Sequence, residues 1–380
     1  MFKFIPFGII ASIFQLVILR EFSFSLAKNE LAFITAAGFW IIFCALGSIT
    51  ETPKRIKGQP LFALSSLAFF SSITLIHTVK LFFGLKYYEP ASLGLVLISS
   101  VALIGPLAFI IGNIFRFLVQ DYLKSNPSGR NNYAKFFAYE AIGFFIGGLA
   151  FSLYLSKYTN PLIFSSLPVL LASAGKNNYK KITAMAIFIL MAFFSFRGFN
   201  LILKNEFGRA KIIFNLGSRY GPVLSVDKSG VTVLYSEGSI LVTSEDKASA
   251  EEFIHTSLSA INDVKNKAVL FIGAAFSQVA EEILKYEPAS LDCLHINPVI
   301  SMLAKDTFSE EISNKVSFIA DDPRVYLKNT TKRYDAIMMS MPAPLNLSLN
   351  RYFTEEFFAL VSSRLKYKGI FSFSIPSKRE

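Results

Sequence analysis

Six long apolar runs, at roughly 4–26, 31–49, 61–83, 92–118, 134–156 and 182–203, alternate with short polar stretches through the first half of the chain. A helix needs about 20 apolar residues to cross a hydrocarbon core of about 30 Å, so each run is long enough to span one. A seventh run, 161–174, is shorter than the ~17 residues of a perpendicular span, so it either crosses with help from its flanks or folds back. From Lys211 onward the pattern changes to short β-type runs broken by turns: "KIIFNL", "GPVLSVD", "GVTVLYSEG" and "SILVTSED". They predict a small antiparallel sheet with turns near Lys228–Gly230 and Glu237–Ser239.

Beyond it the period alternates between 2 and 3.6. Helices are predicted at 247–261, 277–286, 298–305 and 354–365, and strands at 268–272, 291–296, 316–319, 335–340 and 369–375. Such alternation predicts an open, mostly parallel sheet covered on both faces, with ligands beyond the carboxyl ends of its strands. The expected organisation is an α-helical membrane bundle of six or seven spans over 1–205, a small β subdomain over 206–245, and an α/β Rossmann-like domain over 246–380.

Composition sharpens the division. The chain is 52% hydrophobic with 40 Phe, too apolar for an ordinary soluble protein. Residues 1–211 carry 20 Lys and Arg against 7 Asp and Glu, whereas 212–380 carry 18 against 20, so the net +11 belongs to the first half. Its cations sit in short clusters between apolar runs, the distribution of cytoplasmic membrane loops rather than of a nucleic-acid surface, and nucleic acid is excluded as a partner. The clusters "ETPKRIK" (51–57) and Arg116–Lys135 share one face in any alternating scheme, which places them and the N-terminus inside. Cys44 and Cys293 offer neither a metal-ligand spacing nor a disulfide pair, and the first run lacks a small-residue cleavage site. Within the runs, Arg20 and Glu21 are expected to snorkel or to pair with each other, Glu140 to serve helix packing beside the small-residue face Gly143/Gly147, and His77, with no partner evident in the sequence, to be a packed neutral residue.

The segment "VLFIGAAFSQVAEEILKY" (269–286) reads as strand, tight turn and helix, followed by "LHINPVI", "DDPRVYL" and "YDAIMMSMPAPLNLSLNRYFTEEFFALVSSRLKYKGIFSFSIPS". Together these resemble the spermidine synthase family, aminopropyltransferases that use decarboxylated S-adenosylmethionine, and in particular its membrane-embedded members. "LVILREFSFSLAKNELA", "CALGS" and "YEAIGFFIGGLAFSLYL" extend the resemblance into the first half.

The resemblance implies cofactor-binding positions at Gly273, His295 and Asp322 and a catalytic acid position at Ser340. It also exposes departures. Ala274, Ala275 and Phe276 stand where the family loop is glycine-rich, and are expected to fill the space of the ligand's methionine portion. His295 replaces the carboxylate that binds ribose hydroxyls, and Asn297 replaces the acid after it. Ser340 replaces the acid that accepts the amine's proton, and Ala343 the next acid. Asp335, Tyr352, Glu355 and Glu356 survive, and His255 is read as structural.

A Ser340/His295 hydrolase pair is set aside because no nucleophile elbow surrounds the serine. No metal is expected. The resulting expectation is a degenerate domain without catalytic activity, acting as scaffold, sensor or subunit of a membrane assembly. The alternative is an active aminopropyltransferase or methyltransferase using (decarboxylated) S-adenosylmethionine. Because the family's ligands are cytosolic and 161–174 is short, the soluble domain is expected on the cytoplasmic face. The family sheet continues past the strand at 369–375, so this domain reads as truncated at its C-terminal end, and the strand's edge is expected to be covered by a second copy or another protein. The lipid bilayer is the other expected partner.

Overall fold

The structure, a computed structural model, describes residues 3–27, 30–51, 58–86, 89–125, 133–168, 178–208, 210–236, 239–245, 247–261, 263–274, 276–306, 314–344 and 346–374. It divides into two compact units, Met1–Arg209 and Ala210–Glu380.

The first unit is helical: α1 (Phe4–Phe22), α2 (Glu30–Ile49), α3 (Gln59–Phe82), α4 (Leu93–Ser99), α5 (Gly105–Ser125), α6 (Tyr133–Leu153) and α7 (Asn178–Phe207). Among the described residues five helical stretches are long and apolar enough to cross a membrane: Phe4–Leu26, Glu30–Ile49, Pro60–Phe82, Leu93–Lys124 and Ala134–Leu153. Six or seven were expected. The stretch 182–203 lies in a further long helix, α7, several of whose side chains fall outside the described residues.

Helix α1 is apolar on every side, and its buried residues, among them Phe7, Phe14, Val17 and Ile18, place it at the centre of the unit. It lies parallel to α6 at backbone contact. A Cβ on Gly143 would sit 2.2 Å from the Ile5 carbonyl oxygen, and one on Gly8 would sit 2.3 Å from that of Glu140. The small-residue face read from the sequence is thus the α1–α6 seam.

Helix directions follow from such contacts. Phe14 stacks on Phe69 at 4.0 Å, and one end further on Glu21 meets His77 at 3.1 Å, so α1 and α3 run the same way. Gly198 lies against Phe70 and Glu206 approaches His77 at 3.6 Å, so α7 runs with α3. Arg20 donates to the carbonyls of Ser156 and Tyr158, just past the end of α6. Since α6 and α7 point the same way, the chain passes from one end of the unit to the other between Leu153 and Asn178. Of the two readings of 161–174, crossing or folding back, these helix directions favour crossing, and the described start of the run, Pro161–Ser166, is 3₁₀ helix, which rises about 2.0 Å per residue against 1.5 Å in an α-helix. The rest of the run from 169, with Lys176, lies outside the described residues.

His77 has partners after all. Its Nε2 lies 3.1 Å from Glu21 and its Nδ1 3.6 Å from Glu206, while Arg20 Nε donates to Glu21 at 2.8 Å. The Arg20–Glu21 pairing agrees with the sequence reading. The histidine's partners come from α1 and α7, more than fifty residues away on either side, where periodicity gives no warning.

The second unit opens with an antiparallel meander, β1 (Lys211–Ser218), β2 (Gly221–Lys228), β3 (Val231–Ser236) and β4 (Ser239–Thr243), in spatial order β1-β2-β3-β4. Then follow α8 (Lys247–Leu258), β5 (Ala268–Gly273), α9 (Ser277–Leu284), β6 (Ser290–His295), α10 (Pro298–Asp306), β7 (Val316–Ala320), α11 (Pro323–Asn329), β8 (Tyr334–Ser340), a single turn Leu347–Asn350, α12 (Glu355–Arg364) and β9 (Leu365–Ser374). The last five strands form one parallel sheet in the order β7-β6-β5-β8-β9. Strand β5 is buried along nearly its whole length, as a near-continuous apolar run should be when both faces are covered. Its alternate residues feed opposite cores. Val269 and Phe271 pack with Ile254, Leu258 and Ile283 on one face, Leu270 and Ile272 with Leu327, Phe357 and Val361 on the other.

Asp335 ties the lower ends of three strands, accepting from the Ala268 N–H at 2.8 Å and from Lys366 Nζ at 2.7 Å. Helix α11 was not predicted, although "DDP" carries its start signal. Asp322 caps it by accepting from the Arg324 N–H at 2.9 Å, with Pro323 in the first turn. Strand β9 is the edge of the sheet among the described residues, and the last residue of the predicted strand, Ile375, lies outside them.

Candidate functional site

The sheet order reverses direction between β5 and β8, and the crevice beyond their carboxyl ends is where open α/β sheets bind ligands. A cleft of about 390 Å³ opens there. The ends of β5, β8 and β9 supply Phe271, Ser340 and Ser374, and the turn after β5 supplies Ala274 and Phe276. Helix α8 contributes Phe253, β4 contributes Val242, and Met341 and Pro342 follow Ser340. The opposing β4 edge is held by Gln278, whose Nε2 donates to the Ser244 carbonyl at 2.8 Å.

Gly273 ends β5 with φ +143° and pairs in register with Ser340. A Cβ there would stand 2.2 Å from the Ser340 carbonyl oxygen. The glycine expected to cradle a cofactor is thus required by the approach of its own neighbouring strand. Ala274 is buried, and Phe276 packs against the cluster of Val223, Leu234, Ala274 and Ile300 beneath the meander. The expectation that Ala274, Ala275 and Phe276 fill the ligand space is corrected to this extent: Phe276 forms one wall and the cleft stays open, because the ring is drawn toward the meander's apolar face. Ala275 lies outside the described residues.

Ser340 faces the cleft, and its Oγ accepts from Ser374 Oγ at 3.3 Å. No His reaches it. His295 ends β6, and β5 lies between β6 and β8, so the two strand ends stand about 10 Å apart at the usual strand spacing. They are not on adjacent strands, which is a second reason against a Ser340/His295 hydrolase pair.

The His295 Nδ1 accepts from the Asn297 N–H at 2.9 Å, which leaves the ring proton on Nε2. Asn297 itself is fully engaged. Its side chain donates to Ser218 Oγ at 3.0 Å and accepts from the Val299 N–H at 3.1 Å, fastening β1 to the start of α10. Asp322, besides capping α11, is paired with Arg351.

The surviving family positions are structural too. Tyr352 is buried against Phe357, while Glu355 and Glu356 stand in the first turn of α12, where acids favour a helix start capped by Thr354. His255 bonds Tyr286 and Glu282, in agreement with its structural reading. Among the described residues no cluster of three metal-ligating side chains occurs. The cleft walls Phe253, Phe271, Gln278 and Ser374 were not anticipated; for Ser374 the one available signal was its place opposite Ser340 in the β8–β9 register.

Burial pushes the His295 imidazole down from 6.5 to about 4. The unfolded chain therefore binds the proton more tightly, so this group's stabilising contribution is complete above pH 6.5 and is lost as pH falls toward 4. Hydrogen-exchange protection of 290–295, corrected for intrinsic rates, is expected to drop over that window. In His295→Asn, whose side chain can still accept from Asn297, the drop should shrink; an unchanged acid profile would show that another group governs it.

The sequence profile of the spermine/spermidine synthase domain matches residues 247–375. The polyamine aminopropyltransferase of Oceanobacillus iheyensis is 27% identical over 191 residues, covering 44% of this chain and 37% of that protein. Polyamine aminopropyltransferase 2 of Aquifex aeolicus is 22% identical over 315 residues, 80% of this chain and 62% of the other. Polyamine aminopropyltransferase 1 of Streptomyces coelicolor is 20% identical over 404 residues, 94% and 72% respectively. The chain thus spans less than two thirds of the length of the first two relatives. Among solved structures, spermidine synthase from Thermotoga maritima aligns with TM-score 0.37 at 18% identity, over 43% of this chain and 55% of that one. A spermidine synthase in complex with the transition state analogue AdoDATO aligns with TM-score 0.36, also at 18% identity, over 43% of this chain and 56% of that one.

The C-terminal unit is spermidine synthase-like. The expectation of a non-catalytic scaffold, sensor or subunit is overturned: relatives matching 80% and 94% of this chain, its helical part included, are named as enzymes. Each lost side chain had been weighed as a lost function, yet His295 and Asn297 are built into the fold by specific bonds and a cleft remains open at the ends of β5 and β8.

Proposed function

We propose that the C-terminal unit is an aminopropyltransferase of the polyamine type and that the helical unit holds it at a membrane. The observation that carries the first part is the open cleft at the switch point, lined by Ser340 and walled by Phe276. Its volume lies within the ~300–1,000 Å³ of small-molecule sites. The donor suited to this reaction is decarboxylated S-adenosylmethionine, consumed once per turnover. His295, with its Nδ1 occupied, has one ring N–H to offer and cannot accept from two hydroxyls as a carboxylate does.

In the transfer the amine lone pair attacks the carbon bound to the sulfonium sulfur. A C–N bond forms, and the C–S bond breaks with its electrons going to sulfur, which leaves as the neutral thioether methylthioadenosine. The nitrogen carries the positive charge until it releases a proton to water. Ser340 cannot take that proton as a carboxylate would, because an alkyl hydroxyl is no base at neutral pH. The chain's contribution is positioning: the acceptor amine must arrive as the free base, and Ser340 Oγ can accept one of its N–H bonds while the lone pair points at the donor.

Full-length protein in detergent, supplied with decarboxylated S-adenosylmethionine and an amine, is expected to yield aminopropylated amine and methylthioadenosine by mass spectrometry. The rate should climb about tenfold per pH unit below the amine's own pKa, near 10.4 for a primary alkylamine. A methyl product formed from S-adenosylmethionine instead would make the domain a methyltransferase, and no product from either donor with folded protein would overturn the reading.

The membrane placement rests on the outward faces of the helices. Ile41, Ile49, Phe82 and Phe145 are between 64% and 79% exposed, an apolar surface that water disfavours and lipid does not. Flotation with liposomes that is lost on adding detergent is the expected behaviour.

A further inference from the structure

Five ionisable side chains meet near the ends of α1, α3 and α7: Arg20 and Glu21 from α1, His77 and Lys80 from α3, and Glu206 from α7. Each is 12% exposed or less. Arg20 Nε donates to one oxygen of Glu21 at 2.8 Å, and His77 Nε2 lies 3.1 Å from the other. Lys80 donates to the Glu89 carbonyl at 2.6 Å, and it and the Glu89 carboxylate are the charges next beyond Glu206. The neighbouring segments Ser23–Ala27 and Pro161–Ser166 carry no ionisable side chain, Ser25 of the first bonds the Ile76 carbonyl at 3.0 Å, and Phe199 stands edge-on to the imidazole at 6.0 Å.

The imidazole thus stands between two carboxylates, with Nε2 toward Glu21 and Nδ1 3.6 Å from Glu206. Nδ1 and both Glu206 oxygens are buried from water. An ionised carboxylate only accepts, so the ring must carry a proton on Nε2 to bond Glu21. A neutral ring then turns a bare lone pair at Nδ1 toward Glu206, and an ionised Glu206 turns lone pairs back toward it. Buried acceptors that face each other repel, and in an apolar surrounding no water screens them. One proton between the two groups removes the conflict, whether it rests on Nδ1 or on the carboxyl.

We infer that the end of α7 is fastened to α3 by a single proton held between Glu206 and His77, which makes this helix end a pH-sensitive latch. The sign follows from linkage. The fastened state holds a proton that the open state gives up to solvent, so fastening is complete at low pH and weakens as pH rises. With one proton involved, the limiting slope is about tenfold in the fastening equilibrium per pH unit. Arg20 keeps Glu21 ionised and in place throughout, so α1 and α3 stay joined while α7 responds.

Hydrogen exchange over residues 199–207, corrected for intrinsic rates, reads the latch in full-length protein in detergent between about pH 6 and pH 9.5. Protection there is expected to fall as pH rises, approaching a slope of about tenfold per unit, while protection of residues 8–18 in α1 stays level. In Glu206→Gln the side-chain amide can donate to Nδ1 of a neutral ring, so α7 should remain protected with no dependence on pH. In His77→Gln the dependence should vanish as well.

A flat wild-type profile would overturn the latch, and so would a slope in Glu206→Gln equal to that of the wild type. Loss of α7 protection at every pH in Glu206→Gln, with α1 still protected, would show that net charge rather than a shared proton holds the helix, and overturns the inference too. Should Glu206→Gln lose protection in α1 and so fail to fold, His77→Gln decides: an undiminished slope there places the titrating group elsewhere.

Discussion

Replacing Gly273 by alanine is expected to unfold the C-terminal unit under conditions where the wild-type unit is stable. The added Cβ would lie 2.2 Å from the carbonyl oxygen of Ser340, a backbone atom of the paired strand that no rotamer change can move aside. The residue's φ of +143° is one that a side-chain-bearing residue rarely adopts. Relief requires separating β5 from β8 at the centre of the sheet, where Ile272, Met338 and Met339 are fully buried. Single substitutions that cost more than about 4 kcal/mol are exceptional, and a backbone collision in a central strand pair belongs among them. At roughly 2–4 °C per kcal/mol for a domain of this size, the thermal midpoint should fall by ~10 °C or more. In a background lacking Cys44, the buried thiol of Cys293, on the neighbouring strand β6, supplies a readout specific to this unit. A thiol-reactive dye should label it at a correspondingly lower temperature in the variant, whereas labelling at the wild-type temperature would mean that the strand ends can part without cost and that the cleft floor is softer than described.

An all-or-none result is expected for sidedness. In a background lacking Cys44 and Cys293, a cysteine at Lys3 and one at Lys204, near the end of α7, should react with a membrane-impermeant reagent from opposite sides of the bilayer. Whichever is labelled in intact cells, the other should be labelled only after permeabilisation. The expectation follows from the directions of α1, α3, α6 and α7, which all run from the end carrying Lys3 to the end carrying Arg20, His77 and Glu206. Labelling of both cysteines from one side would require α7 to run against α3, and the approach of Glu206 to His77 could not then hold.

How much of this was legible beforehand depends on the range of the interaction concerned. The five parallel strands and the four-stranded meander were visible because each rests on a local pattern, a short apolar run between turn residues. The α1–α6 seam was likewise visible as Gly143 and Gly147 at one-turn spacing. The start of β9 was placed late, at 369 rather than Leu365, since Lys368 adopts φ +61° and a register shift between Tyr334 and Ala336 interrupts the apolar pattern. Helix α11 was passed over because seven residues are too few to show a period, although its cap and proline were in plain view.

At the candidate site the sequence identified the positions Gly273, His295, Asp322 and Ser340 but not their duties. By itself it determined what each residue can offer: a glycine where φ is positive, an imidazole without a carboxylate's two acceptors, a hydroxyl in place of an acid. It also determined the division into an apolar, cationic half and an α/β half, since both follow from composition and short-range periodicity. Only the tertiary structure decided that Gly273 answers to the Ser340 backbone, that Asp322 is matched by Arg351, and that Phe276 leans on the meander and leaves a cleft. It alone decided that α6 and α7 run in the same direction. Each of these rests on contacts between elements distant in the chain, and the free energy of such contacts depends on geometry that no local window of residues contains.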